Sequence, residues 1–174
     1  MELKEIRQKI DQIDEQMKEL FLQRMDLAHE VIENKKLTGA PVYVAKREQE
    51  VLELRTAGVK EEYLPACRAF FQHMMEISRS HQYAEITEQA EQLHKLLDGN
   101  KRADLSFSCK DGGSQAAVFL NAAMLAGLRV EEAEIRRQGD DLRCRLGLYG
   151  DFSLKAAKAA VMQILKENEN VTIL

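Results

Sequence analysis

The chain has 174 residues, 45% of them hydrophobic, enough for the core of one medium domain or two small ones. Its formal net charge of -4 gives no general attraction to nucleic acid or to an anionic membrane, so any anion site has to be a local concentration of positive charge. No stretch approaches the roughly 18 consecutive apolar residues of a membrane span, and no basic face or helix-turn-helix signature points to DNA.

Cys67, Cys109 and Cys144 are odd in number and widely separated, without a CxxC spacing. That pattern argues for reduced thiols in a cytoplasmic protein and against a zinc site. His29, His73, His81 and His94 are equally scattered, so no metal is expected. The charged start, Met1-Glu2-Leu3-Lys4-Glu5, reads as the beginning of a helix and not as a signal peptide.

Residues 3 to 36 contain no Gly or Pro and carry apolar residues at heptad a and d spacing: Leu3, Ile6, Ile10, Ile13, Met17, Leu20, then Leu27 and Val31. A helix of this length spans roughly 50 Å, more than the width of a small domain, so a second chain is the natural cover for its seam. Arg24 falls on an a position inside that seam. A guanidinium cannot shed its proton, and burying it unpaired costs several kcal/mol, so an anion is expected beside it. Thr38-Gly39-Ala40-Pro41 breaks the helix. A second helix is predicted from Val44 to Ala57, ended by Gly58, and a third from Glu61 with Pro65 in its first turn. The third stripe runs through Leu64, Cys67, Phe71, Met74, Ser78 and His81, so that Ser78 occupies an apolar slot and Gln82 follows one turn later. A helical stretch from Ala84 to Leu97 precedes the linker signal Asp98-Gly99-Asn100.

Beyond the linker the periodicity changes to that of strands. Ala103–Cys109 alternates as a half-buried strand, and Asp111-Gly112-Gly113 turns into an Ala- and Leu-rich helix, Ser114–Leu128. Strands are predicted at Arg129–Arg137 and Leu142–Tyr149, joined by the hairpin signal Gln138-Gly139-Asp140-Asp141. A helix, Ser153–Glu167, and a last strand, Val171–Leu174, complete a βαββαβ order. That order implies a four-stranded, mostly antiparallel sheet with helices on one face, the ferredoxin-like arrangement. The whole is an α+β chain with a helical domain at 1–97, a linker at 98–102 and a βαββαβ domain at 103–174.

The polar residues that stand out are Arg7, Arg24, Lys35, Arg47, Glu48, Ser78 and Gln82. Arg24 and Lys35 are eleven residues apart and share a helix face, whereas Arg7 lies some 25 Å from Arg24 along the same rod. One chain cannot bring Arg7 and Arg24 to one small ligand; an antiparallel partner can supply its own Arg7. Each residue also has a plain structural reading. Arg7 can flank the seam in solvent, and Arg24 can pair with a structural Glu. Arg47 and Glu48 can form a wet helix face, Ser78 can bond back to its own helix, and Gln82 can be a surface amide.

As a set, Leu3-(x)2-Ile6-Arg7-(x)2-Ile10-Asp11-x-Ile13-Asp14, Gln23-Arg24, Lys35, Pro41-Val42, Arg47-Glu48, Phe71-Gln72, Glu76, Ser78 and Gln82 resemble the all-helical class of chorismate mutases over about residues 1–83. The resemblance implies an intertwined helical homodimer that rearranges chorismate to prephenate without a cofactor. It implies Lys35, Gln82 and Arg24 as catalytic residues, and Arg7 in trans, Arg24, Lys35, Arg47, Glu48, Ser78 and Gln82 as the substrate shell. Val44 stands where the family often has an acidic residue, and Tyr43 where a basic one is frequent. The βαββαβ tail resembles an ACT regulatory domain, which implies control by phenylalanine or tyrosine. Asp111, Gly112, Gly113, Ser114 and Glu134 are its candidate effector residues, although a helix N-cap is the favoured reading of Ser114. Two other readings stay open. One is an isochorismate–pyruvate lyase on the same fold, and the other is a noncatalytic regulatory dimer that binds an aromatic-pathway metabolite.

Overall fold

A computed structural model describes residues 2–86, 91–110 and 115–173, apart from the side chains of residues 92, 110 and 115. The chain divides into two compact units, residues 1–40 and 41–174. The first is helix α1, Leu3–Thr38, 36 residues without a break. Glu2 and Glu5 form a reciprocal capping box at its start, and Gly39 closes it in the left-handed conformation at φ 70°. The expected seam is present as an exposed apolar row, with Leu3, Ile6, Ile10, Ile13, Met17, Leu20, Leu27 and Val31 between 40% and 63% accessible.

The second unit begins with α2, Ala45–Thr56, one residue inside the predicted limits at each end. Glu61–Tyr63 forms a single 3-10 turn, so the third helix proper, α3, runs Leu64–Ile86 with Pro65 in its first turn. A short helix α4, Glu91–Leu97, follows within the stretch read as helical from Ala84. The order then is β1 (Arg102–Lys110), α5 (Gln115–Leu125), β2 (Arg129–Gln138), β3 (Asp141–Tyr149), α6 (Lys155–Glu167) and β4 (Glu169–Ile173). Leu128 donates its amide to the Ala123 carbonyl and Gly127 donates to Met124, a Schellman-type end to α5 that requires the left-handed φ of 73° at Gly127.

The sheet order is β2-β3-β1-β4, antiparallel throughout, as the ferredoxin-like reading requires and compatible with an ACT-like region. The chain as a whole is therefore α+β, with a helical N-terminal part. Strand alternation determines which face is covered. Ala103, Leu105, Phe107 and Cys109 are buried along β1, while Asp104, Ser106 and Ser108 between them are more accessible. Phe107 meets Phe119 of α5 edge-on, with centroids 5.2 Å apart, and Val161 and Ile164 of α6 join the same core. That core also takes in Tyr83 of α3 and Leu93 and Leu97 of α4. Side chains tie the helices along their length: Ser80 Oγ donates to Gln163 Oε1 at 2.8 Å, and Lys155 Nζ lies 3.2 Å from Glu85 Oε1. Lys158 Nζ contacts Asp98 Oδ1 at 2.8 Å, a bond that holds the Asp98 carboxyl below its usual range. No helix among the described residues is long and apolar enough to cross a membrane.

Candidate active site

Helix α1 carries three of the candidate residues. Arg7 is exposed, and Arg24 and Lys35 are half-buried. Helical rise separates Arg24 from Lys35 by about 16 Å along the axis, and eleven steps of roughly 100° return them to one face. Lys35 lies in the last turn, where the carbonyl ends of the helix favour a cation.

Unit 41–174 carries the others. Arg47 is exposed on α2 and lies 3.6 Å from Glu50, a surface pair of little energetic weight. Glu48, one residue on, turns inward and is half-buried. Ser78 and Gln82 share one face of α3 and are 4% and 7% accessible. The Ser78 hydroxyl donates to the Met74 carbonyl at 3.0 Å, the back-bond expected of a serine inside a helix. Glu76, also buried, is 3.1 Å from His73 Nδ1.

The arrangement around Glu48 contains a residue that sequence reasoning missed. Arg79, only 5% accessible, forms an ion pair with Glu48 through Nη1 and a second with Glu167 Oε1 through Nε at 2.9 Å. Its guanidinium carbon sits 5.0 Å from the centre of the Tyr43 ring, a cation–π distance. Burial opposes the charge on Arg79, but Glu167 and Glu48 outweigh it and raise the pKa. Burial pushes the Glu167 carboxyl above the usual carboxylate range in spite of Arg79, and burial likewise pushes up the Tyr83 phenol, with the Glu167 charge adding to the effect. Burial is the largest cause for both groups, and the nearby Glu48 carboxylate adds to it.

A signal for Arg79 was present in the chain. It lies four residues after Met75 and four before Tyr83, both buried, so it is a charge on an apolar face, the same anomaly that singled out Arg24. Its carboxylate partners lie 31 and 88 residues away, beyond any local pattern.

Of the candidate effector residues, Asp111, Gly112, Gly113 and Ser114 lie outside the described residues. Glu134 sits on β2 opposite Arg145 and pairs with Arg136. It lines a concavity of about 670 Å³ on the open face of the sheet with Ser106, Arg136, Arg143, Arg145 and Thr172, a polar lining in which arginines outnumber the one carboxylate. Among the described residues, no group of three or more His, Cys, Asp or Glu side chains is placed to hold a metal ion.

In a comparison with protein families, the model described as chorismate mutase type II matches residues 6–83. No curated protein and no solved structure matches the chain. The matched segment spans α1, α2 and α3 as far as Tyr83, and so includes every candidate substrate residue from Arg7 to Gln82. Residues 6–83 therefore belong to the chorismate mutase type II family, whose chemistry is that of an isomerase.

Proposed function

We propose that the protein is a cytoplasmic, homodimeric chorismate mutase that converts chorismate to prephenate for phenylalanine and tyrosine synthesis. The reaction is an intramolecular Claisen-type shift: one C–O bond breaks as one C–C bond forms, and nothing enters or leaves. Catalysis then needs no nucleophile and no cofactor. It needs the dicarboxylate held in its compact reactive conformer, and donors placed where charge gathers on the ether oxygen.

In this reading Arg24 and the partner subunit's Arg7 grip the two carboxylates with their planar forks. Lys35 reaches a carboxylate and the ether oxygen, and Gln82 is the second donor to that oxygen. Glu48 accepts from the ring hydroxyl, and Arg47 and Ser78 complete the carboxylate shell. The observation that carries the reading is Arg24, a cation in the seam of a 36-residue helix within the family-matched segment. The exposed apolar row on α1 supports the dimer, because a second antiparallel α1 would cover that row and bring its own Arg7 toward Arg24. The βαββαβ region senses phenylalanine or tyrosine; its sheet order supports this, as does Glu134 beside a row of arginines that can meet an ammonium and a carboxylate.

The test follows chorismate consumption, identifies the product, and compares Arg24→Ala and Lys35→Ala with the parent chain. Prephenate is the expected product, with rates lowered by about a hundredfold or more in both variants, as for loss of an oxyanion donor. Co-refolding Arg7→Ala with Arg24→Ala should restore activity through one intact mixed site per heterodimer. Equal rates in all chains refute the mechanism, and pyruvate release would mark a lyase instead. Unchanged mutase rate and unchanged melting on addition of either amino acid refute the sensor role.

A further inference from the structure

Glu48 is not free to choose its own orientation. Arg79 holds it from one side, and Arg79 is itself held by Glu167, whose side chain is only 3% accessible. The two carboxylates meet different edges of one rigid plane, Nη1 for Glu48 and Nε for Glu167. A guanidinium gripped in this way transmits direction, because its donors are fixed relative to one another, whereas an ammonium on a flexible stem is a point charge. The Tyr43 ring restricts the plane further from its face. Burial makes the arrangement sensitive: removing one member leaves a desolvated charge whose other partner has to move.

Glu167 ends α6, an element of the βαββαβ region, while Glu48 and Arg79 lie in the family-matched segment. Two further ties, Ser80 to Gln163 and Lys155 to Glu85, fix α3 along α6, so the position of Glu167 follows that of the whole helix.

We propose that Arg79 is a positioning residue for Glu48, anchored by Glu167, and that α6 thereby sets how the pocket recognises the ring-hydroxyl end of its substrate. The proposal rests on the reading of Glu48 as the acceptor for that hydroxyl. Arg79 does not touch the reacting atoms; it acts through Glu48 alone. Its loss should therefore be felt by substrates that carry the hydroxyl and not by those that lack it.

The experiment measures kcat and KM on chorismate and on an analogue without the ring hydroxyl, for the parent, Arg79→Met, Arg79→Lys, Glu167→Gln and Glu48→Gln, with melting curves for each. Arg79→Met should lose about tenfold to a hundredfold in kcat/KM on chorismate, the scale of a misplaced hydrogen bond to a charged group, and little on the analogue. Arg79→Lys should recover only part of that loss, and Glu167→Gln should show a smaller loss on chorismate alone. Combining Arg79→Met with Glu48→Gln should cost no more than Glu48→Gln by itself. Folded variants that lose activity equally on both substrates, or losses that add to that of Glu48→Gln, overturn the positioning role. A parent chain that leaves chorismate unchanged overturns the underlying mutase reading as well, and is distinguished by being seen before any variant is compared.

Discussion

Glu167→Gln should change how stability depends on pH, in a direction set by the burial of the Glu167 carboxyl, which outweighs its attraction to Arg79. The parent carboxyl is buried, and burial raises its pKa above the ordinary value of 4.5 even with Arg79 at 2.9 Å. In the folded chain it therefore holds its proton to higher pH than in the unfolded chain. Between the two pKa values the native state binds more protons, so the contribution of this group to stability falls as pH rises through that window. The window opens near the unfolded value and closes at the folded one; one group can contribute a slope of at most about 1.4 kcal/mol per pH unit within it. A chain of this size moves its Tm by about 2–4 °C for each kcal/mol. Glutamine keeps the shape and an acceptor for Arg79 Nε but does not titrate, so the variant should gain on the parent step by step from about pH 4.5 upward. Asp98, Asp104 and Asp151 have depressed pKa values, held down by Lys158, Arg102 and Ser153 respectively, and their stabilisation is lost as pH falls through the acid range. Those losses occur in both proteins and cancel in the difference. Calorimetric melting of parent and variant at half-unit steps from pH 4.5 to 7.5 is the assay. Parallel Tm curves would show that Glu167 does not titrate differently on folding. A variant that falls behind the parent as pH rises would show that attraction to Arg79 outweighs burial, and either result would refute the reasoning.

Phe119 is fully buried and meets Phe107 edge-on, so Phe119→Ala should cost about 3–5 kcal/mol through lost burial and a cavity, read as a lower urea midpoint with the fold retained. The thiols should separate by environment: Cys144 is buried beside Cys109, at 3.9 Å between sulfurs, and burial pushes its thiol up to about 12, while Cys67 is half-buried. Iodoacetamide at pH 8 should label Cys67 first in the native protein and all three thiols only after denaturation, as mass spectrometry would report. Early labelling of Cys144 would contradict the buried register of β3.

Elements with strong local signals were legible without a fold. The seam of α1, the glycine at its end, the hairpin at Gly139 and the alternation along β1 each depend on neighbours within a few residues, and each is where periodicity and turn chemistry put it. The third helix shows the limit of such reading, because Glu61–Tyr63 forms a 3-10 turn before α3 settles at Leu64. Propensity does not separate these two geometries at a helix start. Ser78 shows another limit. Its place on an apolar face was visible, but the bond to the Met74 carbonyl depends on rotamer and packing.

The sequence by itself determined the order of helices and strands, the antiparallel ferredoxin-like sheet and the likeness of its first helices to chorismate mutases, which the type II family model matches at residues 6–83. Those features follow from short-range periodicity, from the few topologies open to a βαββαβ chain, and from charges that break an apolar stripe. Only the tertiary structure decided what Glu48 meets. The pairing of Glu48, Arg79 and Glu167 joins residues up to 119 positions apart, and it exists because α3 packs against both α2 and α6. A buried charge announces in one dimension that it needs a partner; which carboxylate answers is settled by packing in three.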